Sequence, residues 1–141
     1  MENLSIEATK YTPDIVFDVS GKLSITGKSY PENTFEFYAP VMEWVRTYFT
    51  TDSSPRELTL DIEITYFNTS SSKLLFDFFD FFNCLDKNQS DFKVTVHWIY
   101  DEENESALEA GEDFIDDFEN LNIKLVSKEG QTALLLKEIL V

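Results

Sequence analysis

Two stretches of the chain alternate apolar and polar residues with a period of two. In one, Leu58, Leu60, Ile62, Ile64 and Tyr66 alternate with Thr59, Asp61, Glu63 and Thr65. In the other, Phe92, Val94, Val96, Trp98 and Tyr100 alternate with Lys93, Thr95 and His97. This pattern predicts strands with one face in the core and one in water. Strands covered on both faces would read as continuous apolar runs. The sheet should therefore carry its helices mainly on one face and keep the other polar, with Lys93 pairing to Asp61 or Glu63 across strands. Shorter strand patterns come earlier: residues 4–6, then 15–19 and 22–26 joined by a Ser20-Gly21 turn and ended by Gly27. Residues 122–126 read as a last strand.

Between the strands the period changes to that of a helix. Phe37, Tyr38, Val41, Trp44, Val45, Tyr48 and Phe49 follow the i, i+3, i+4, i+7 rule. The segment ahead of them, 29–36, offers two capping-box spacings, Ser29 with Glu32 and Asn33 with Glu36. Pro40 inside the pattern predicts a kink or a delayed start. Residues 73–87 form a second helix pattern. Leu74, Leu75, Phe78, Phe79, Phe81, Phe82 and Leu85 share one arc, and Lys73, Asp77, Asp80, Asn83, Cys84 and Lys87 share the other. Phe76 falls among the polar residues, about two turns beyond Thr69, where an exposed aromatic suits docking. A third helix is expected over 104–119, with Leu108, Gly111, Phe114, Ile115 and Phe118 inward and a run of Glu and Asp outward. Residues 133–141 are apolar and lysine-bearing, and their pattern leaves helix and strand both open.

A length of 141 residues suits one domain with a sizeable core. With 43% hydrophobic and 15% aromatic residues the chain is not of disordered type. A formal net charge of −16 repels nucleic acid and anionic membrane, so neither is expected as a partner. A basic protein surface fits that field, although solubility alone also accounts for it. The single cysteine, Cys84, cannot form an internal disulfide, and no basic-then-apolar leader follows Met1. A cytoplasmic location is expected on both grounds.

Chemistry is thinly provided. One histidine and one cysteine cannot build an ordinary zinc site, no Asp-x-Asp-x-Asp-Gly loop offers calcium a cage, and the four glycines are scattered. No metal and no cofactor is therefore expected. His97 falls on the open sheet face, where a solvated imidazole is a better account than a catalytic base. No carboxylate pair is singled out for acid–base work. The chain reads as a non-enzyme with no catalytic residue.

What remains is the hydroxyl run Asn68-Thr69-Ser70-Ser71-Ser72, placed between a strand and a helix. A helix start has unpaired N–H groups and a partial positive charge, so it takes an oxygen acceptor and favours an anion. The run either caps the helix or carries a phosphate.

The order strand, Asn68-Thr69-Ser70-Ser71, amphipathic helix resembles STAS domains, which place a phosphorylatable Ser or Thr at the start of the second helix after a central strand. The chain more closely resembles the SiaC-type regulatory phosphoproteins. The residues that carry the resemblance are Ser29-Tyr30-Pro31-Glu32-Asn33, Phe67-Asn68-Thr69-Ser70-Ser71 and His97-Trp98-Ile99-Tyr100-Asp101. It spans about residues 12–118. The resemblance implies a STAS-like α/β (α+β) fold with a mixed sheet, one domain over 1–141, and a C-terminal extension from about 127. It further implies a bacterial partner-switching protein. Thr69 would be phosphorylated by a cognate kinase and dephosphorylated by a PP2C-like phosphatase. The unphosphorylated form would bind and activate an effector such as a diguanylate cyclase, raising cyclic di-GMP and favouring aggregation or biofilm.

Partner contacts are then expected from Tyr30, Pro31, Glu32, Asn33, Asn68, Ser70, Ser71 and Phe76. If the strands before the two helix entrances are parallel neighbours, Tyr30 to Asn33 and Thr69 share one surface. Two other readings make different predictions. A constitutive interaction module would use Thr69 only as a helix N-cap. A small-ligand or enzymatic domain would show a deep pocket lined by convergent polar groups.

Overall fold

A computed structural model describes residues 1–51, 56–88 and 92–129. The elements run β1 (Leu4–Ile6), β2 (Asp14–Phe17), β3 (Lys22–Ser29), α1 (Thr34–Thr51), β4 (Arg56–Phe67), α2 (Thr69–Asn88), β5 (Phe92–Tyr100), α3 (Glu105–Asp117) and β6 (Asn122–Ser127). The expected tail at 133–141 lies outside the described residues.

Among the described residues the six strands form one sheet in chain order. β1, β2 and β3 pair antiparallel, and β3 to β6 pair parallel. Each parallel step moves one strand in the same direction through one helix. Right-handed crossovers then put α1, α2 and α3 on the same face. Burial agrees: Leu58, Leu60, Ile62 and Ile64 of β4 and Val94, Val96 and Trp98 of β5 are almost fully buried against the helices. The expected mixed α/β sheet with one covered and one polar face is what forms.

On the open face the register sets the pairs. Glu57 lies opposite Lys93, and Asp61 lies opposite His97. His97 Nδ1 and Asp61 Oδ1 are 2.8 Å apart, while Glu63 reaches Lys128 at 3.3 Å. The expected pairing of Lys93 with Asp61 or Glu63 is thus replaced, because the true register slides Lys93 four residues toward the start of β4.

Several element ends also differ from the pattern. β3 does not end at Gly27 but runs on to Ser29. Gly27, at φ +130, marks a bulge instead. It pairs with Ile64, the next residue Lys28 pairs with Tyr66, and Thr65 is left unmatched. One extra residue flips every later side chain to the other face. Tyr66, expected inward, is therefore 55% exposed. Phe67 turns inward instead and meets the Trp98 ring edge-on at 6.3 Å. α1 begins at Thr34 and runs through Pro40 without a delayed start. Pro40 is on the exposed side of the helix, where the freed Glu36 carbonyl can be solvated. Asn33 caps it, its Oδ1 accepting from the Glu36 N–H at 3.0 Å. Ser29, the other candidate cap, is a buried strand residue.

α3 comes closest to the sheet at Gly111, whose absent side chain leaves room for Trp98 and Leu125. Trp98 Nε1 donates to the Ala107 carbonyl at 2.8 Å and pins the two layers together.

Candidate functional site

The hydroxyl run enters the helix earlier than its pattern suggests. The apolar arc begins at Leu74, but α2 begins at Thr69. Asn68 is the cap. Its Oδ1 accepts from the Ser71 N–H at 2.9 Å, and its carbonyl accepts from the Ser72 N–H at 3.0 Å. Thr69 is therefore the first helical residue, not the N-cap, and the capping reading passes to its neighbour. Asn68 N–H itself donates to the Ser29 carbonyl at 3.1 Å. That leaves the N–H groups of Thr69 and Ser70 for an incoming acceptor. The Thr69 hydroxyl is exposed and has no hydrogen-bond partner among the described residues.

Of the three serines that follow Thr69, Ser72 is half-buried and the other two are bonded. Ser71 is fully buried and its Oγ lies 2.8 Å from Ser29 Oγ, which in turn lies 2.6 Å from the Tyr38 hydroxyl. This chain of hydroxyls ties β3, α1 and α2 together inside the protein. Ser70 is exposed but occupied: it lies 2.6 Å from Thr34 Oγ1 and donates to Asn68 Oδ1 at 3.1 Å. Of the run, only Thr69 combines an exposed hydroxyl with freedom from such bonds. Ser71 cannot touch a partner in this state, contrary to expectation, because it is packed beneath the surface, and Pro31 is buried but lines a surface cavity.

The two helix entrances do meet. β3 and β4 are parallel neighbours with Ser29 opposite Phe67. The Ser29–Ser71 and Thr34–Ser70 bonds then join the start of α1 to the start of α2. Tyr30 stacks edge-on between Tyr11 at 5.3 Å and Tyr66 at 5.4 Å. Glu32 and Asn33 are exposed beside it. Tyr30 to Asn33 and Thr69 thus share the end of the sheet where the parallel strands finish. The tyrosine ladder was hidden from sequence reasoning, which placed Tyr66 in the core. The isolated Gly27 in a strand pattern was the available signal of the bulge.

On its other side Thr69 opens onto a groove of about 450 Å3 between α2 and α3. Lys73 stands one turn along on α2, Phe76 one turn further, and Asp113 and Asp117 face them from α3. Phe76 is 42% exposed and tilts against Phe118 at 4.9 Å. It is neither buried nor isolated, and it shares a groove with Thr69. Among the described residues no group of three or more His, Cys, Asp or Glu is placed to hold a metal, and no helix is long and apolar enough to cross a membrane.

The family model described as SiaC family regulatory phosphoprotein matches residues 6–128. The chain belongs to the SiaC family. The match is longer at both ends than the motifs alone indicate. An uncharacterized protein of Pseudomonas aeruginosa (strain UCBPP-PA14) is 37% identical over 118 residues, which is 83% of this chain and 90% of that one. The crystal structure of apo-SiaC from Pseudomonas aeruginosa superposes with a TM-score of 0.80 at 33% identity, covering 89% of this chain and 99% of that one. A crystal structure of the diguanylate cyclase SiaD in complex with its activator SiaC, from the same organism, gives 0.80 at 34% identity, over 88% and 98% of the two chains. This SiaC family chain is accordingly a regulatory protein by membership.

Two outcomes follow from the local geometry. Asn68→Ala should cost about 1 kcal/mol of stability through the lost cap. Thr69→Ala should stay within about 0.5 kcal/mol of the native chain, since its hydroxyl holds nothing. Urea melts of the two variants give both values, and equal losses would return the cap to Thr69. The second outcome concerns Tyr38. Burial pushes its phenol above the usual tyrosine range, and the Ser29 hydrogen bond only partly opposes this. The folded state then favours the neutral form. The associated stability is complete below the unfolded tyrosine pKa of about 10 and is lost as pH rises through the higher folded value. Tyr38→Phe should flatten that alkaline loss in melts recorded at increasing pH. An unchanged slope would mean that Tyr38 does not contribute it.

Proposed function

We propose that this protein is a non-enzymatic partner switch controlled by reversible phosphorylation of Thr69. A cognate kinase adds the phosphate, a PP2C-like phosphatase removes it, and the unphosphorylated protein binds and activates an effector, a diguanylate cyclase in the leading case. The observation that carries the reading is the state of the Thr69 hydroxyl: exposed, and, among the described residues, unbonded and beside two N–H groups with no other partner. A phosphate there gains donors and the positive end of α2 without any native bond being broken. Membership of a family of regulatory phosphoproteins supports the same reading. The cyclase is suggested by the complex formed by the related SiaC. Tyr30, Glu32, Asn33, Asn68, Ser70 and Phe76 border Thr69 on either side and form the proposed docking surface.

The test is incubation with the candidate kinase followed by mass spectrometry. Phosphate is expected on Thr69 and absent from Thr69→Ala. Label on Ser70 or Ser72 in the native chain would overturn the assignment.

A further inference from the structure

A second cavity, about 640 Å3, lies away from Thr69, between the chain after β1 and the entrance to α1. Ile6, Tyr30, Pro31 and Phe37 line it with apolar surface, and Tyr11, 51% exposed, stands at its mouth. Phe35, on the first turn of α1, is 82% exposed close by. Among the described residues the charged side chains lining the cavity are Glu7 and Glu32, both exposed, while Lys10 lies over the Tyr11 ring at 5.9 Å. An apolar recess of this size with two carboxylates in its lining, on a surface rich in tyrosine, has the composition of a binding hot spot. A second copy of the chain is a poor occupant. It would bring Glu7, Glu32 and a second net charge of −16 against their own kind.

We propose that this recess binds a segment of a partner protein that carries one large apolar side chain flanked by Lys or Arg. The apolar side chain fills the space between Tyr11, Tyr30 and Phe37, and the cations meet Glu7 and Glu32. The Tyr11–Tyr30–Tyr66 ladder joins this recess to the β4–α2 junction. A partner held here therefore reaches the Thr69 region without depending on it for its grip. The inference shares Tyr30 and Glu32 with the proposed switch surface but does not require a phosphate on Thr69.

The test is an amide-resolved NMR titration of the full chain with two synthetic twelve-residue peptides. Both carry a central Leu-Phe-Leu, one flanked by Lys and Arg and the other by Glu. The basic peptide is expected to shift signals of Ile6, Tyr11, Tyr30 and Phe37 saturably. The Glu peptide should bind at least about tenfold more weakly. The double reversal Glu7→Lys with Glu32→Lys should weaken the basic peptide at least about fivefold, and Tyr11→Ser should do the same. Glu112→Gln, on the outer face of α3, should leave it unchanged. All these positions are exposed, and an unaltered spectrum away from the recess verifies folding. Shifts confined to the acidic outer face of α3, equal binding of the two peptides, or no saturable shift at the recess would each overturn the proposal. So would a dimer in sedimentation that Phe35→Ser dissolves, which would give the recess to a second copy. Loss of Thr69 labelling bears on the switch alone and leaves this result standing.

Discussion

Phosphorylation of Thr69 is expected to weaken effector binding by about 5- to 150-fold, the range of about 1–3 kcal/mol of coupling between two sites. The modification adds about −1.5 to −2 charges and three strong acceptor oxygens. At the first position of α2 those oxygens lie within reach of the Thr69 and Ser70 N–H groups, and Lys73 lies one turn along in the same groove. The phosphate is thus held where it forms. Asp113 and Asp117 across the groove cannot neutralise it, so the groove gains both bulk and negative charge. A partner side chain packed between Thr69 and Phe76 loses its space. The framework beneath stays in place, because Ser29, Ser71 and Tyr38 bond one another below the surface. Calorimetric titration of the effector with phosphorylated and unmodified protein measures the ratio. Thr69→Glu should reproduce the direction with a smaller effect, since a carboxylate brings one charge and two oxygens. Equal affinity of the phosphorylated and unmodified forms would end the switch reading.

Gly111→Val is expected to cost about 2–4 kcal/mol, the sum of overpacking at about 1–3 and one lost hydrogen bond at about 1. A Cβ at this position would stand 2.6 Å from Trp98 Cδ1, 2.7 Å from Leu125 Cδ2 and 2.9 Å from Trp98 Nε1. The indole cannot yield, since it is 1% exposed and bonded to the Ala107 carbonyl. α3 must therefore rise from the sheet and strain that bond. Gly111→Ala meets the same contact but gains helix propensity of about 1 kcal/mol, so its net loss should be smaller. The shift also moves Asp113, Phe114 and Asp117, which form one wall of the Thr69 groove. Urea melts give the stability ranking native, Ala, Val. A valine variant as stable as the native chain would show that α3 can lift without cost.

Much of this was legible in the chain because one physical signal sufficed. The alternation in β4 and β5 gave the strands, the buried face and the open polar face. The aromatic arcs of α1 and α2 gave the buried stripes, and the Asn33–Glu36 spacing named a true cap. Readings failed where two signals compete over a few residues. Ser29 has the same spacing to Glu32 as Asn33 to Glu36, but Ser29 is buried in β3, and only the extended pairing to Phe67 decides this. The start of α2 was placed too late because its first turn is polar all round, held by the Asn68 side chain rather than by an apolar face. Tyr66 and Phe67 changed places through a single unmatched residue, Thr65, which no periodicity over a short window can register. At the site, the position of Thr69 was legible, but its difference from Ser70 and Ser71 was not. That difference rests on contacts with Ser29, Thr34 and Tyr38, more than thirty residues away in sequence or across a strand.

The strand order has a consequence for how the molecule is made. Each strand from β2 onward pairs with the strand synthesised just before it. No strand has to hold an edge open for a segment still inside the ribosome at the far end of the chain. As chain emerges, each new helix and strand can add to the growing end of the sheet, so the loops that must close stay short and the edge that receives the next strand is always the most recent one. The hydroxyl network beneath Thr69 is complete when β4 and the first turn of α2 have docked on β3 and α1, and the groove beside it closes only when α3 is added.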